Sequence, residues 1–288
     1  MKTKKIWRDL LVRLWIVAMV VGTLASSGLA HVSGQESSES STNSETLSVL
    51  LLGVDTGDLG RVDHGRSDVL MLMTVNPVTE KITITSIPRD AYVMLADYHY
   101  MDKINHAYAF GGPAMSIATV ENWLGIEIDH YVAVNMAGLK EIVDAVGGVT
   151  VVPPTSFSIS GYDFTAGIET YLDGDMALAY SRERYTSGGD YARQERQRQV
   201  VFAVLKNASS AMLSLQAESL FNSLSANVET DLTVFELLPL FMKYRNATNN
   251  IEFHQLSGSG SMIDGIYYDI IDDYSLNEML TRLSGELE

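Results

Sequence analysis

A chain of 288 residues, 46% hydrophobic and 19% charged, has the composition of a globular protein rather than a disordered, collagenous or multi-span membrane chain, and has room for one large domain or two small ones plus additional segments. With no cysteine, a disulfide framework, thiolate zinc and iron–sulfur sites and a Cys nucleophile are excluded. The formal net charge is −16, but residues 1–13 carry three Lys, two Arg and one Asp, a local +4 that leaves −20 on the remainder. Such a remainder repels nucleic-acid phosphates, so no nucleic-acid partner is expected, and an anionic substrate would need a local basic site or a metal.

Lys2, Lys4, Lys5, Arg8 and Arg13 precede the apolar run 14–30, LWIVAMVVGTLASSGLA. A membrane-spanning helix needs about 20 apolar residues, with a lower limit of about 17, and basic residues on the N-terminal side keep that end in the cytoplasm. The run reads either as an uncleaved signal anchor or as a signal peptide cut after Gly28-Leu29-Ala30; its length favours the anchor. The expected organisation is a cytoplasmic basic segment (1–13), a single-pass membrane anchor (14–30), a Ser-rich acidic linker (31–45, HVSGQESSESSTNSE) and an extracytoplasmic domain (46–288). The linker is almost free of apolar residues and reads as a solvated tether.

Three apolar segments open the domain. Residues 46–54, TLSVLLLGV, have strand length and end at Asp55; a loop rich in Gly and Asp follows; residues 68–75, DVLMLMTV, are again continuously apolar. Residues 76–81 read as a turn, and 82–87, ITITSI, as a strand that stops at Pro88-Arg89-Asp90. Strands apolar on both faces imply a sheet covered by helices on both sides. If Asn76 pairs with Lys81, Asp68 falls opposite Arg89, and Asp55, Arg66, Asp68 and Arg89 gather at one end of the sheet. Two carboxylates and two guanidiniums there either close a loop through salt bridges or share a ligand. Mg²⁺ suits such oxygen ligands when phosphates complete its shell, and the Arg fork matches phosphate oxygens.

Downstream, residues 113–123 read as a helix, 126–135 as a strand, 136–146 as a helix and 149–152 as a strand, the last three making a strand–helix–strand unit. A second basic cluster follows in residues 180–200, YSRERYTSGGDYARQERQRQV. Helical character over 172–180 leads to Arg182 and Arg184, which share a face if the backbone is extended. Asp190 is a candidate N-cap for a helix starting at Tyr191. On that helix Arg193, Gln197, Val200 and Val204 share the buried face, at a helix N-terminus that itself favours anions. Arg196 and Arg198 read as an exposed basic face.

These segments resemble the LytR-CpsA-Psr family of cell-wall glycopolymer transferases. The stretches that carry the resemblance are LLLGVD, GRSDVLML, ITSIPRD, KINHAYAFGG, IDHYVAVNMAGLKEIVDAVGGVTV, DGDMALAYSRERY and DYARQERQRQV, in the family's order over about residues 47–205. The resemblance implies a three-layer α-β-α fold, mixed α/β, with a central mixed sheet and an apolar cavity for a polyprenyl chain. It implies that Asp55 and Asp68 hold Mg²⁺ (or Mn²⁺) against a pyrophosphate. It implies that Arg66, Arg89, Arg182 and Arg184 contact the phosphates, with Lys103, Arg193 and Gln197 as further pyrophosphate-binding candidates. The family often has Arg two residues after the first Asp; here that position is Gly57, so either Arg61 compensates or one phosphate contact is missing. The implied partners are a polyprenyl-pyrophosphate-linked glycopolymer and a peptidoglycan acceptor; teichoic acid, capsule and other wall polymers all fit the same handle. No Ser/His or Cys/His pair is suggested by the motifs, so transfer without a covalent intermediate is expected, catalysed by metal and guanidinium stabilisation of phosphoryl charge. Asp90 reads as a loop cap, an orienter of Arg89 or a general base, and His106 as structural. Competing readings are a pyrophosphatase or phosphodiesterase using water, a non-catalytic regulator, and a prenyl-lipid binder. Residues from about 206 onward carry no usable motif.

Overall fold

The computed structural model describes residues 46–56, 65–184, 188–211, 227–232, 244, 247 and 250–287. The expected basic segment, anchor and linker (1–45) and Arg61 lie outside the described residues. Among the described residues no helix is long and apolar enough to cross a membrane.

The elements, in chain order, are β1 (Leu47–Val54), β2 (Ser67–Asn76), β3 (Lys81–Ile87), β4 (Tyr92–Met94), β5 (Met101–Lys103), α1 (His106–Leu124), β6 (His130–Asn135), α2 (Met136–Ala145), β7 (Val149–Val151), β8 (Phe157–Ile159), β9 (Tyr162–Phe164), β10 (Thr170–Leu172), α3 (Gly174–Arg182), α4 (Gly189–Ala211), β11 (Val228–Thr230), β12 (Ile251–Gln255), β13 (Gly258–Ile263), β14 (Ile266–Ile271) and α5 (Asp273–Leu287). The main sheet has the order β11-β6-β1-β2-β3-β12. It is mixed: β6 runs parallel to β1 and β12 parallel to β3, while β1, β2 and β3 alternate direction.

The β2–β3 register is the expected one, Asn76↔Lys81 through Leu70↔Ile87. The β1–β2 ladder slips at its end, from Gly53↔Val69 to Val54↔Ser67. Asp68 is therefore an extra, unpaired residue, a bulge that breaks the strand's alternation where the site begins.

Helices cover both faces of the sheet. Leu50, Leu52, Val54, Leu70, Leu72 and Ile87 pack on one side with residues of α1 and α5, among them Val120, Leu124, Met279 and Leu283. Met71, Ile82 and Ile84 face the other way, toward Val201 and Leu205 of α4 and toward Tyr244. A separate core gathers Val143 of α2, Val149, Phe157, Phe164, Tyr180 of α3 and Val200 of α4.

Side-chain caps start two helices: Gly138 N–H donates to Asn135 Oδ1 before α2, and Met176 N–H to Asp173 Oδ1 before α3, both at 2.8 Å. The helix expected at 113–123 is the second part of α1. Its first turn lies beyond a kink where Gly111 and Gly112 leave helical geometry, Gly112 at φ +62°; Pro113 can follow such a break because its missing N–H is unpaired there anyway. The expected strand–helix–strand unit is corrected: β7 leaves the main sheet and pairs antiparallel with β10.

Two further expectations fail. Arg196 and Arg198 do not form an exposed basic face; both are buried. Helix α4 is covered by the sheet on one side and by α3 and the β8–β9 hairpin on another, and long basic stems bury readily if their heads find acceptors. Arg198 donates to Ser86 Oγ at 3.1 Å and to Gln255 Oε1 at 2.7 Å, tying α4 to β3 and β12. Arg196 donates to the carbonyls of Tyr180 and Glu183, pairs with the Glu183 carboxylate at 3.1 Å and lies 5.0 Å from the Phe157 ring. Removing one partner of a fully buried pair leaves an uncompensated charge. Arg196→Ala is expected to cost about 3–5 kcal/mol of stability, and Arg198→Ala about 1–3 kcal/mol through orphaned acceptors; denaturant unfolding of both variants checks this.

Candidate active site

One carbonyl sets the geometry at the end of the sheet. The N–H groups of Asp55 and Asp68 both donate to the Arg66 carbonyl, at 3.0 and 3.1 Å, and Asp55 Oδ1 accepts the Arg66 N–H at 2.6 Å. The backbones of two Asp residues 13 positions apart in the chain are thereby held to one carbonyl, and the Asp55 carboxylate is held to the same residue. Gly65 makes this possible: it sits at φ +66°, and a Cβ there would lie 2.7 Å from Asp55 Oδ1.

Arg89, just past β3, reaches across to Asp68, with Nη1 2.7 Å from Oδ1. Its Nε lies 3.4 Å from Asp190 Oδ1 and 3.6 Å from Asp90 Oδ2. Asp190 also holds Arg193 Nη2, at 2.6 Å, across one turn of α4. Asp90 Oδ1 holds Lys103 Nζ at 2.7 Å. Asp55, Asp68, Arg89, Lys103 and Arg193 thus form one connected cluster, with Asp90 and Asp190 as its links.

Hydrogen bonding inside the cluster is incomplete on both sides. Arg89 Nε and the Nε and Nη2 of Arg193 are buried without a well-aligned hydrogen bond among the described residues, and so is Asp190 Oδ1, which pairs with both guanidiniums by charge. Burial works against the Arg89 charge, but Asp68, Asp190 and Asp90 outweigh it and its pKa is raised. Burial dominates at Arg193 and lowers its pKa; Asp190 opposes that shift and Arg89 adds to it.

The remaining expected residues sit around this centre. Arg66 is exposed at the mouth, its backbone built into the cluster. Arg182 ends α3 and Arg184 follows it, both exposed, with buried Glu183 between them locked under Arg196. Arg184 acts electrostatically on Arg193, whereas no hydrogen bond or ion pair joins Arg182 to the cluster among the described residues. Gln197 is buried one turn beyond Arg193 and donates to the Ser181 carbonyl at 3.3 Å. His106 is held by Asp102 at 2.7 Å.

Asp190 is not the expected N-cap. Helix α4 already starts at Gly189, and the carboxylate serves Arg89 and Arg193. Its i,i+3 spacing to Arg193 was the available signal. Sequence reasoning missed Tyr267 and Asp269 of β14. Asp269 N–H donates to the Asp90 carbonyl at 2.8 Å, so the β13–β14 hairpin forms a wall of the site; nothing local marks residues so far along the chain.

Two carboxylates at the end of a mixed α/β sheet, with Arg and Lys gathered beside them, have the chemistry that suits a phosphate ester. The chain belongs to the LytR_cpsA_psr family, whose model matches residues 18–285. It is 45% identical over 246 residues to the polyisoprenyl-teichoic acid–peptidoglycan teichoic acid transferase TagU of Enterococcus faecalis, covering 85% of this chain and 81% of that one. The structure is similar to the crystal structure of Bacillus subtilis TagU, at 38% identity and a TM-score of 0.67 over 85% of this chain and 97% of that one. It is similar also to TagT bound to LI-WTA, at 28% identity and a TM-score of 0.70 over 87% of this chain and 94% of that one.

Gly65→Ala introduces strain at a positive φ and displaces the Asp55 carboxylate. Misplacement of a reacting group by about 1 Å can cost about 10²-fold in rate. The variant is expected to stay folded, with a modestly lower melting temperature and turnover reduced by about that factor, measured against wild type in one assay.

Proposed function

We propose that this protein is a phosphotransferase that moves a glycopolymer, of the teichoic acid class, from a polyprenyl-pyrophosphate carrier to peptidoglycan. The observation that carries the reading is the gathering of three cations, Arg89, Lys103 and Arg193, around Asp68, Asp90 and Asp190 at the end of the sheet where Asp55 also lies. Such a set receives a pyrophosphate and is poorly suited to a neutral ligand. The names and bound ligand of the relatives point to the same donor and acceptor.

A second feature supports a lipid-linked donor. Among the described residues, the sheet face toward α4 is less fully buried over its central strands. Leu51 and Gly53 of β1, Val69 and Met73 of β2, and Val132 and Val134 of β6 are only half-buried, although these strands lie inside the sheet. Cross-strand pairing puts them on one face. The opposite face, with Leu50, Leu52, Leu70 and Leu72, is fully buried. A half-open apolar strip beside a phosphate site suits an acyl or prenyl chain.

Asp55 and Asp68 fit a small hard cation: two carboxylates on residues whose backbones share the Arg66 carbonyl, with phosphate oxygens to complete the shell. They would hold Mg²⁺, which when bound supplies Lewis-acid neutralisation of the phosphates. Arg89 and Arg193 bind the phosphoryl oxygens, and their forks strengthen as charge builds during attack by an acceptor hydroxyl. Lys103 stabilises the departing phosphate as a point charge. Arg66, Arg182 and Arg184, on the exposed rim, draw the anionic donor into an otherwise acidic domain. Residues 14–30 anchor the chain, with the domain on the extracytoplasmic side, where peptidoglycan is found.

Asp55→Ala and Asp68→Ala are each expected to abolish most turnover on a polyprenyl-pyrophosphate-linked saccharide, and excess EDTA to do the same to wild type; full activity in EDTA rejects the metal. Arg89→Ala is expected to lose about 10²–10³ in rate while remaining folded, and Arg89→Lys to recover only part, since a point charge does not replace the fork. Protease added to wall-stripped cells is expected to digest the domain; complete protection would overturn the orientation.

A further inference from the structure

Transfer to a hydroxyl requires a place for its proton, and the cluster described above offers none directly. Asp55 is engaged by the Arg66 N–H, Asp68 by Arg89, Asp190 by Arg89 and Arg193, and Asp90 by Lys103 and Arg89. The wall contributed by β14 holds a carboxylate of a different kind. Asp269 is 1% exposed. Its backbone is fixed to the segment after β3, through the Asp90 carbonyl and a parallel bridge to Ala91. Its side chain accepts a hydrogen bond from Tyr267 Oη at 3.0 Å.

Tyr267, two residues earlier on the same strand, is 44% exposed. Its ring lies over Gly260 of β13, the cross-strand partner of Asp269; a Cβ at Gly260 would come within 2.7 Å of the ring and of the hydroxyl. The glycine therefore lets the ring lie along the hairpin with its hydroxyl turned back to the buried carboxylate. Lys103 Nζ sits 6.0 Å from the Tyr267 ring centroid and 2.7 Å from Asp90, so the phenol stands beside the phosphate-binding groups.

Resting on the transferase reading above, we propose that Tyr267 and Asp269 form the proton relay for the acceptor: Tyr267 touches the acceptor hydroxyl and Asp269, behind it, receives the proton. As the acceptor oxygen bonds to phosphorus and the bond from phosphorus to the bridging oxygen breaks, the leaving lipid phosphate takes that electron pair. The acceptor proton passes to Tyr267 Oη while the Tyr267 proton passes to Asp269 Oδ1. Asp269 is a positioning residue and proton sink; Tyr267 is the group in contact with substrate.

The electrostatics agree with this division of labour. The groups facing Asp269 are Tyr267 on its own strand, Asp90 from the loop after β3, Asp190 and Tyr191 from α4, and Lys103 from β5. Burial raises the Asp269 pKa, and Asp90 and Asp190 add to the rise; the Tyr267 hydrogen bond and Lys103 oppose it, and the net shift is upward. A carboxylate raised in this way is a better base near neutral pH. The Tyr267 phenol is pushed up to about 12, first by burial and then by Asp269, so it passes a proton on without ionising in advance.

The test uses the full chain with a polyprenyl-pyrophosphate-linked saccharide and a peptidoglycan acceptor, with transfer measured across the acid-to-neutral range. Because Asp269 must be ionised to accept a proton, wild-type transfer is expected to rise with pH through its elevated pKa. Asp269→Asn is expected to lose about 10²-fold in transfer together with that rising limb, and Tyr267→Phe to lose a similar factor, both with donor binding unchanged. The folded-state pKa of Asp269 lies above its unfolded value, so its charge lowers stability as pH rises through that range. The Asn variant is therefore expected to melt no lower than wild type at neutral pH, whereas a merely structural carboxylate would show the reverse. An active wild type with the limb intact in Asp269→Asn, or full activity in Tyr267→Phe, overturns the relay alone. A wild type with no transfer activity overturns the transferase reading and the relay with it.

Discussion

The Arg89 guanidinium is the point on which the rest of the site hangs. It draws together Asp68 from a bulge in β2, Asp90 from its own loop and Asp190 from the first turn of α4. Through Asp190 it fixes Arg193, and through Asp90 it fixes Lys103. Inside this group three carboxylates face three cations, so the centre carries no formal charge. A pair of buried opposite charges contributes little net stability; here the network's value is geometric, since each cation is oriented by a carboxylate before any ligand arrives. Under the proposed reading, a pyrophosphate would need further positive charge, which the exposed Arg66, Arg182 and Arg184 and a cation held by Asp55 and Asp68 would supply.

The two sheet faces serve different ends. Against α1 and α5 the sheet is packed as an ordinary core. Against α4 the central strands remain half-open, and α4 meets that face with Val201 and Leu205 in its middle while presenting Arg193 at its start. One helix thus borders both the polar and the apolar part of the proposed donor site. Its interior Arg residues carry out the anchoring that apolar side chains usually do: Arg198 to the sheet, Arg196 to α3 and Glu183.

The strands were legible because β1 and β2 are continuous apolar runs and β3 alternates β-branched residues, and the turn at residues 76–81 set the register that puts Asp68 beside Arg89. Local pattern also gave the helices α2 and α3, though not the Asn135 and Asp173 side chains that cap them. It misjudged Arg196 and Arg198, because a basic residue that hydrogen-bonds to carbonyls of a neighbouring helix looks, in sequence, like one that faces water. It placed β7 wrongly, because strand partners are chosen by tertiary packing and not by order in the chain. It was silent on Tyr267 and Asp269, which join the site only through the backbone contact of β14 with Asp90 and Ala91.

The bulge at Asp68 divides this part of the chain into stretches with opposite tolerance of length change. Thr56 and Gly65 flank the point where β1 ends and β2 has yet to begin, and residues gained or lost between them leave the pairing of β1 with β2 intact. From Asp68 to the turn at Asn76 every residue alternates between two differently used faces. Losing a single residue there would remove the extra position, turn the leucines of the closed face toward the open one and carry the carboxylate away from Arg89. Insertions and deletions among homologues should therefore crowd into the first stretch and be purged from the second.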